Sequence, residues 1–388
     1  MKVFTEPASL LAEPGIEHGL GPVKIRVAVF EDYNQIACLQ IQNGLAARSY
    51  EDWQAAWTGN PVFKQVDGQW PIGWVLETTR GEIVGFIGNI PLAYHFRGRE
   101  LVGAASSSWV VDPRYRSYSM LLKSYLMRQE GIDLIICTTV SSASESSYDR
   151  GFRFSRVPVG TWDKSAFWIT NYRGFSQSAL NLKSVRSSRL MSYPVSAALS
   201  CWDGLRGVRL RDPGASCEIR LCSEFDSRFD DFWEESKLQG TTELLAVRTR
   251  DTLAWHYRYS LLQRNVWILT ASHGSRLVAY AIFDRRDNLA LGLKRIRFVD
   301  FQALKGWAKE LGSLLWWVLR KCREEGIHVL ENDGCWLNRP GLPLIPAPYQ
   351  RSLNAWMYYY KAIDKNLSDA LTHPDAWAPS SFDGDASL

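Results

Sequence analysis

Apolar and polar residues alternate over 24–30, the pattern of a half-buried strand, and Asp32 stands where it can cap a helix running to about Leu45. A second helix is expected near 50–57. Strands are expected over 73–79 and 82–96, with a turn at Arg80-Gly81, and Arg97-Gly98 marks a hairpin into a strand over 101–111. Pro113 stops that strand, a helix is predicted over 117–129, and Gly131 ends it. The apolar run 132–139 reads as a buried strand, and 144–149 as a short helix before Gly151-Phe152.

The second half repeats this order. A strand is expected over 217–222. A helix is expected over 224–237, with Phe225, Phe229, Phe232 and Trp233 on one side, and another over 251–259. Strands follow over 266–271, 276–283 and 294–301, then an amphipathic helix over 305–325 and a strand over 327–331. Gly81-Glu-Ile-Val-Gly-Phe86 aligns with Ser275-Arg-Leu-Val-Ala-Tyr280 at an offset of 194. Gly131-Ile-Asp-Leu134 aligns with Gly326-Ile-His-Val329 at 195, and the strand ends Val111-Asp112 and Val299-Asp300 match at 188. A nearly constant offset predicts a duplicated α/β architecture, an α+β arrangement of two similar mixed sheets. The boundaries expected are a loose Gly- and Pro-rich arm over 1–23, a first domain over 24–160, a connection over 161–216, a second domain over 217–363 and a polar tail over 364–388.

Composition narrows the function classes. An apolar fraction of 46% and a charged fraction of 22% over 388 residues fit a soluble globular chain of two domains. The formal net charge of +4, with no run of five basic residues, gives no footprint for nucleic acid. The N-terminal sequence lacks an apolar core, and no apolar run approaches the roughly 20 residues that span a bilayer. Seven Cys without a C-x-x-C pair, and six scattered His, predict a reducing cytoplasm and no metal site. Cys38 and Cys137 sit in apolar stretches and are expected to be buried. No G-x-S-x-G, Walker A, G-x-G-x-x-G or H-E-x-x-H motif is present, so hydrolase, kinase and dehydrogenase readings have no support.

The segment Trp109-Val-Val-Asp-Pro-Arg-Tyr-Arg116 carries chemistry. A strand ending this way and running into a helix resembles the acyl-CoA-binding segment of the GNAT superfamily of N-acyltransferases. The resemblance implies tandem two-domain GNAT-like folding. It also implies that the backbone at Trp109, Val110 and Val111 pairs with the pantetheine arm. The turn and helix start, Arg116, Ser117, Tyr118, Ser119, Met120 and Leu121, would then receive the pyrophosphate, since exposed amides at a helix N-terminus favour an anion. The family turn is R-x-x-G-x-G. Arg116 matches it, but Ser119 and Leu121 replace the glycines, and a Cβ narrows the approach of a phosphate.

Ser142-Ala-Ser-Glu-Ser-Ser-Tyr148-Asp-Arg-Gly151-Phe152 resembles a second family element, A-x-x-x-Y-x-x-x-G-F, one residue short between Tyr and Gly. By that resemblance Ser142 lies against the cofactor and Tyr148 protonates the departing thiolate. The general base is less legible. Ser106, Ser107 and Ser108 occupy the strand where the family often has an acid, leaving Asp112 as the candidate carboxylate and Glu145 in reserve.

The second half lacks such a turn, for 300–306 has no Arg and one Gly. Its Val247-Arg-Thr-Arg-Asp-Thr-Leu-Ala-Trp255-His-Tyr-Arg258 is similar to a pattern in the C-terminal halves of two-domain GNAT-like proteins. That half is expected to shape a substrate cleft, with His256 packed or capping rather than a base. The function implied is transfer of an acyl group from acetyl-CoA or a longer acyl-CoA to an amine of a small molecule or of a sugar or lipid precursor, without a metal. The alternatives are a non-catalytic GNAT-fold binding or scaffold protein, which the lost glycines favour, and a Fem-type aminoacyl transferase, which a basic groove would favour.

Overall fold

A computed structural model of the chain describes residues 22–66, 69–161, 164–206, 214, 216–240, 242–337, 349–352 and 357–388. The arm expected over 1–23 lies outside them apart from its last two residues. The chain divides into two compact units. One runs to Pro91 and takes in Gly103–Ile135, and the other holds Leu92–Val102 and Ile136–Leu388.

In the first unit β1 (Val23–Val27) lies antiparallel on β2 (Gly73–Thr78), pairing Ile25 with Leu76, and β2 on β3 (Ile83–Phe96). Helices α1 (Tyr33–Gln42), α2 (Tyr50–Thr58) and α3 (Pro61–Gln65) fill the β1–β2 connection, and α4 (Ser119–Met127) follows β4 (Arg99–Val111). Ser49 and Asn60 cap α2 and α3, accepting from the N–H groups of Asp52 and Val62. Asp32 holds the N-cap position of α1 without capping it. Its carboxylate is taken by Arg26, at 2.7 and 2.8 Å, and by the Val29 N–H at 2.9 Å, which closes the strand-to-helix turn. Cys38 is exposed on α1, outside the buried face of Ile36, Ala37, Leu39 and Gln40, whereas Cys137 is buried as expected.

The second unit contains the turn of the β3–β4 hairpin, where Arg97 (φ 48) and Gly98 (φ 79) both adopt the left-handed region that twists a two-residue turn correctly. It also contains most of β5 (Leu134–Val140), together with β6 (Ser155–Arg156), β7 (Lys164–Ile169), α5 (Tyr172–Leu182) and α6 (Ser188–Leu205). Next come β8 (Glu218–Cys222), α7 (Arg228–Leu238), β9 (Leu245–Ala246), α8 (Arg250–His256) and α9 (Arg258–Leu262). Then β10 (Val266–His273), β11 (Arg276–Arg285), β12 (Arg295–Ala303), α10 (Glu310–Glu324) and β13 (Val329–Asn332) complete the repeat. Last are β14 (Tyr349–Ser352), β15 (Met357–Ala362) and α11 (Lys365–Ala370).

The strand orders carry the duplication. One sheet runs β1-β2-β3-β4-β5-β15-β6, with β9 on β3, and the other runs β8-β10-β11-β12-β13-β7-β14. Each order follows the chain for five strands, and the sixth comes from the other half. The second sheet is mixed, antiparallel except for the parallel pair β12–β13. Its interior is apolar, with Ile268, Val278, Phe283, Phe298, Leu314 and Leu330 fully buried.

The stretch read as a connection therefore contains a strand, β7, and a helical hairpin. The stretch read as a polar tail is also structured. Trp377, Ala378, Phe382 and Ala386 are buried, and Asp383 is paired with Arg248. Most apolar residues of that Ser-, Gly- and Asp-rich sequence go inward, with Ala370 and Leu388 half-buried.

Candidate active site

In the first unit the end of β4 is pinned from both sides. The Asp112 N–H donates to the Val84 carbonyl at 2.8 Å, and Tyr115 packs into a cluster with Leu76 and Val84, bordered by Val23, Val111 and Tyr118. With Tyr115 inward, Arg114 and Arg116 face solvent from the 3-10 turn Pro113–Tyr118 that leads into α4. Arg116, Ser117, Met120 and Leu121 are exposed there, and Tyr118 and Ser119 are half-buried. The sequence-predicted anion-binding residues thus share one surface at the start of α4. Met120 and Leu121 project outward beside the helix start, so their side chains limit close approach to the backbone.

Within β4, Ser108 takes φ 52. That conformation is rare for a residue with a Cβ, and in a strand it re-aims neighbouring groups. Next to it, Trp109 is half-buried and Val110 buried, and the ammonium of the buried Lys123 lies 4.4 Å from the centre of the Trp109 ring. Asp112 caps the 3-10 turn. Its carboxylate accepts the Arg114 N–H at 2.9 Å and pairs with the Arg114 guanidinium at 2.8 Å. These bonds hold it below the usual carboxylate range, and a carboxylate so held is a weak proton acceptor.

In the second unit, β5 ends at Val140 and passes through a 3-10 turn (Ser142–Ser144) into a π-helical turn (Ser147–Gly151). A π turn is rare and concentrates at functional sites. Tyr148 is buried, its ring 5.2 Å from Phe154 and 5.6 Å from Tyr359. The Tyr359 hydroxyl donates to Glu145 at 3.0 Å, and burial and this carboxylate push it up to about 12. Tyr148 and Glu145 are thereby joined through Tyr359, while Ser142 is exposed.

Sequence reasoning missed the residues that arrive from the C-terminal segment. Asp385 accepts the hydroxyls of Thr138, at 2.9 Å, and Thr139, at 3.1 Å, on β5, and its own N–H donates to Thr138 at 3.1 Å. Gly384 lies against β5 so closely that a Cβ would stand 2.5 Å from Thr138 Oγ1 and Cγ2. The segment is anchored by Arg248, which pairs with Asp300 at 2.8 Å and Asp383 at 3.0 Å and stacks on Phe382 at 4.7 Å. His256 is packed, as expected, against Phe382 at 4.3 Å with its Nε2 2.8 Å from Ser387 Oγ. No local periodicity could have revealed these contacts, which span 131 to 247 positions of sequence.

The same segment enters the second sheet. The parallel register of β12 and β13 stops at Phe298 and Asn332. Beyond it the Ser381 N–H donates to the Val299 carbonyl at 3.2 Å, and the Ser381 hydroxyl to Asp333 at 3.0 Å. Val299-Asp300 is the counterpart of Val111-Asp112, so in the second repeat the chain itself bonds the strand end that the resemblance gives to an acyl donor in the first. Among the described residues no group of three or more His, Cys, Asp or Glu is placed to hold a metal ion.

Neither a family model nor a curated protein matches the sequence. Solved structures do. A GCN5-related N-acetyltransferase from Anabaena variabilis ATCC 29413 is 12% identical with a TM-score of 0.52, over 88% of this chain and 73% of that one. A Saccharomyces cerevisiae N-myristoyltransferase with bound myristoyl-CoA is 11% identical with a TM-score of 0.51, over 93% of this chain and 85% of that one. A probable N-acyltransferase from Enterococcus faecalis V583 is 10% identical with a TM-score of 0.53, over 88% and 72%. Likeness at such identities is likeness of fold, and it extends over both repeated sheets. The chain has the GNAT-superfamily fold of these N-acyltransferases, in tandem, duplicated form.

Proposed function

We propose that the chain is an N-acyltransferase that moves an acyl group from acetyl-CoA or a longer acyl-CoA to an amine of a small molecule or of a sugar or lipid precursor. The observation that carries this reading is the likeness, along 93% of the chain, to an N-myristoyltransferase whose structure holds myristoyl-CoA. In this reading the backbone of Trp109, Val110 and Val111 pairs with the pantetheine arm and polarises the thioester carbonyl. Arg116 and the hydroxyls of Ser117 and Ser119 receive the pyrophosphate. With no glycine in the turn, side-chain charge replaces close backbone approach there.

The amine nitrogen attacks the carbonyl carbon directly, which makes the step effectively intramolecular once both substrates are bound. A C–N bond forms, the C–S bond breaks, and Tyr148 gives its phenolic proton to the leaving thiolate. The acceptor's ammonium docks on Asp385, which takes its proton, and the second proton lost by nitrogen returns through solvent to the Tyr148 phenolate. Asp112, bound to Arg114, keeps the turn in shape. The products are the amide and free CoA thiol.

One observation favours a second reading, a binding module without turnover: Ser119 and Leu121 stand where the family turn has glycines, and Leu121 projects from the helix start. Thiol release separates the two. The full chain is incubated with acetyl-, octanoyl- or myristoyl-CoA and a panel of amines. Release that falls by about 10²- to 10⁴-fold in Tyr148→Phe supports the transferase. Acyl-CoA binding without release from any pair supports the binding module, and absence of both rejects the two readings together.

A further inference from the structure

The amphipathicity of α6 runs the wrong way round. Its inward positions include Ser192 and Asp203, both buried, and Asp203 accepts the hydroxyls of Tyr172, at 2.7 Å, and Tyr349. Its outward positions include Leu190, Tyr193, Trp202 and Leu205, which are 70%, 52%, 56% and 84% exposed. At about 100° per residue these four, with the exposed Ala197 and Cys201 between them, form one stripe along the helix. No charged residue of α6 falls within it, and at one edge the guanidinium of Arg173 on α5 lies 4.1 Å from the centre of the Tyr193 ring. Leu182 and Val185, also exposed, continue the apolar surface onto the end of α5 and the turn. A contiguous apolar surface of this kind marks an interaction site.

The charges around it are of one sign. Lys183, Arg186 and Arg189 are exposed at the α5–α6 turn, and Arg206 is exposed just past the end of α6. Between residues 164 and 206 the one carboxylate is Asp203, and it is buried. A second copy docked on this face would bring cations against cations without an acid to pair them. An apolar layer behind a sheet of phosphates meets both demands at once. Leucine side chains enter it, arginine and lysine reach back to the phosphates, and Tyr193 and Trp202 suit the headgroup level, where an amphipathic ring is favoured. Among the described residues no helix is long and apolar enough to cross a membrane, so such a helix lies in the plane of the surface.

We propose that the outer face of α6, with the α5–α6 turn, docks on the surface of an anionic lipid bilayer. The test is flotation of the full chain with vesicles of equal parts phosphatidylcholine and phosphatidylglycerol, and with pure phosphatidylcholine. The chain is expected to float with the anionic vesicles, to bind the neutral ones far less, and to be released by high salt. Leu190→Ser with Leu205→Ser, and separately Arg186→Glu with Arg189→Glu, are each expected to lower binding by about tenfold or more. Both pairs should melt like the parent, since every altered side chain is exposed. The proposal is overturned by failure to float with either vesicle, or by flotation that both double variants leave unchanged. It is equally overturned by a dimer in solution that the leucine variants split while vesicle binding is absent.

Discussion

The hydroxyl of Thr138 donates to the carboxylate of Asp385 at 2.9 Å, joining a strand of the first repeat to a residue 247 positions later. Thr139 adds a second donor at 3.1 Å. The carboxylate is thereby fixed at the end of β5, eight to ten residues before Tyr148 in sequence. Asp385→Asn keeps the shape and removes the charge. In the transferase reading its kcat falls by about 10²-fold or more and the KM for the amine rises, while acyl-CoA affinity is unchanged. Unaltered kinetics in this variant would take Asp385 out of the reaction.

Gly384 tests how closely the segment must approach β5. A Cβ there meets Thr138 at 2.5 Å, so Gly384→Ala is expected to lose about 1–3 kcal/mol in denaturant unfolding. Thr138→Ser in the same chain removes the Cγ2 contact and recovers part of the loss. A Gly384→Ala variant as stable as the parent would mean that the segment can be held farther off.

Arg248 is 1% exposed between two carboxylates, Asp300 at 2.8 Å and Asp383 at 3.0 Å. Arg248→Met leaves both acids buried without their cation, and the expected cost is about 3–5 kcal/mol. Chemical denaturation measures it. A loss below about 1 kcal/mol would show that water or rearrangement satisfies the acids.

His328 gives a pH dependence with a definite sign. Its Nδ1 accepts the Lys294 N–H at 3.3 Å, and burial, with the Lys294 charge, lowers its pKa from the ordinary 6.5. Folding therefore favours the neutral ring. Stability is complete above about pH 6.5 and falls as pH drops from there through the lowered folded value. His328→Gln is expected to flatten that part of the stability–pH curve, and a curve unchanged in shape would assign the dependence elsewhere.

Much of this fold is legible in the sequence because the repeated strands keep clear periodicity. The predicted strands at 82–96 and 276–283 correspond to Ile83–Phe96 and Arg276–Arg285, and Arg97-Gly98 turns where expected. The sequence of Lys164–Ile169 suits a strand, but its place in a sheet depends on β13 and β14, which lie far along the chain. The segment after Pro374 has no periodicity at all. Trp377 and Phe382 are buried by contacts made with distant residues, and Asp383 is polar in sequence yet buried because Arg248 waits inside. At the site, the strand–turn–helix at 109–121 is readable from Pro113 and the aromatic anchor Tyr115. Asp385 is not, since its importance lies in Thr138 and Thr139.

The most direct test is calorimetric titration of the full chain with acetyl-CoA and with myristoyl-CoA. The expected result is saturable binding of at least one of them at a single site per chain, because Ser381 already bonds the strand end in the second sheet. Affinity should fall about tenfold or more in Arg116→Ala, as loss of a charged hydrogen bond to phosphate requires. Absence of binding to either compound, or binding that Arg116→Ala leaves untouched, would contradict an acyl-CoA site at the start of α4.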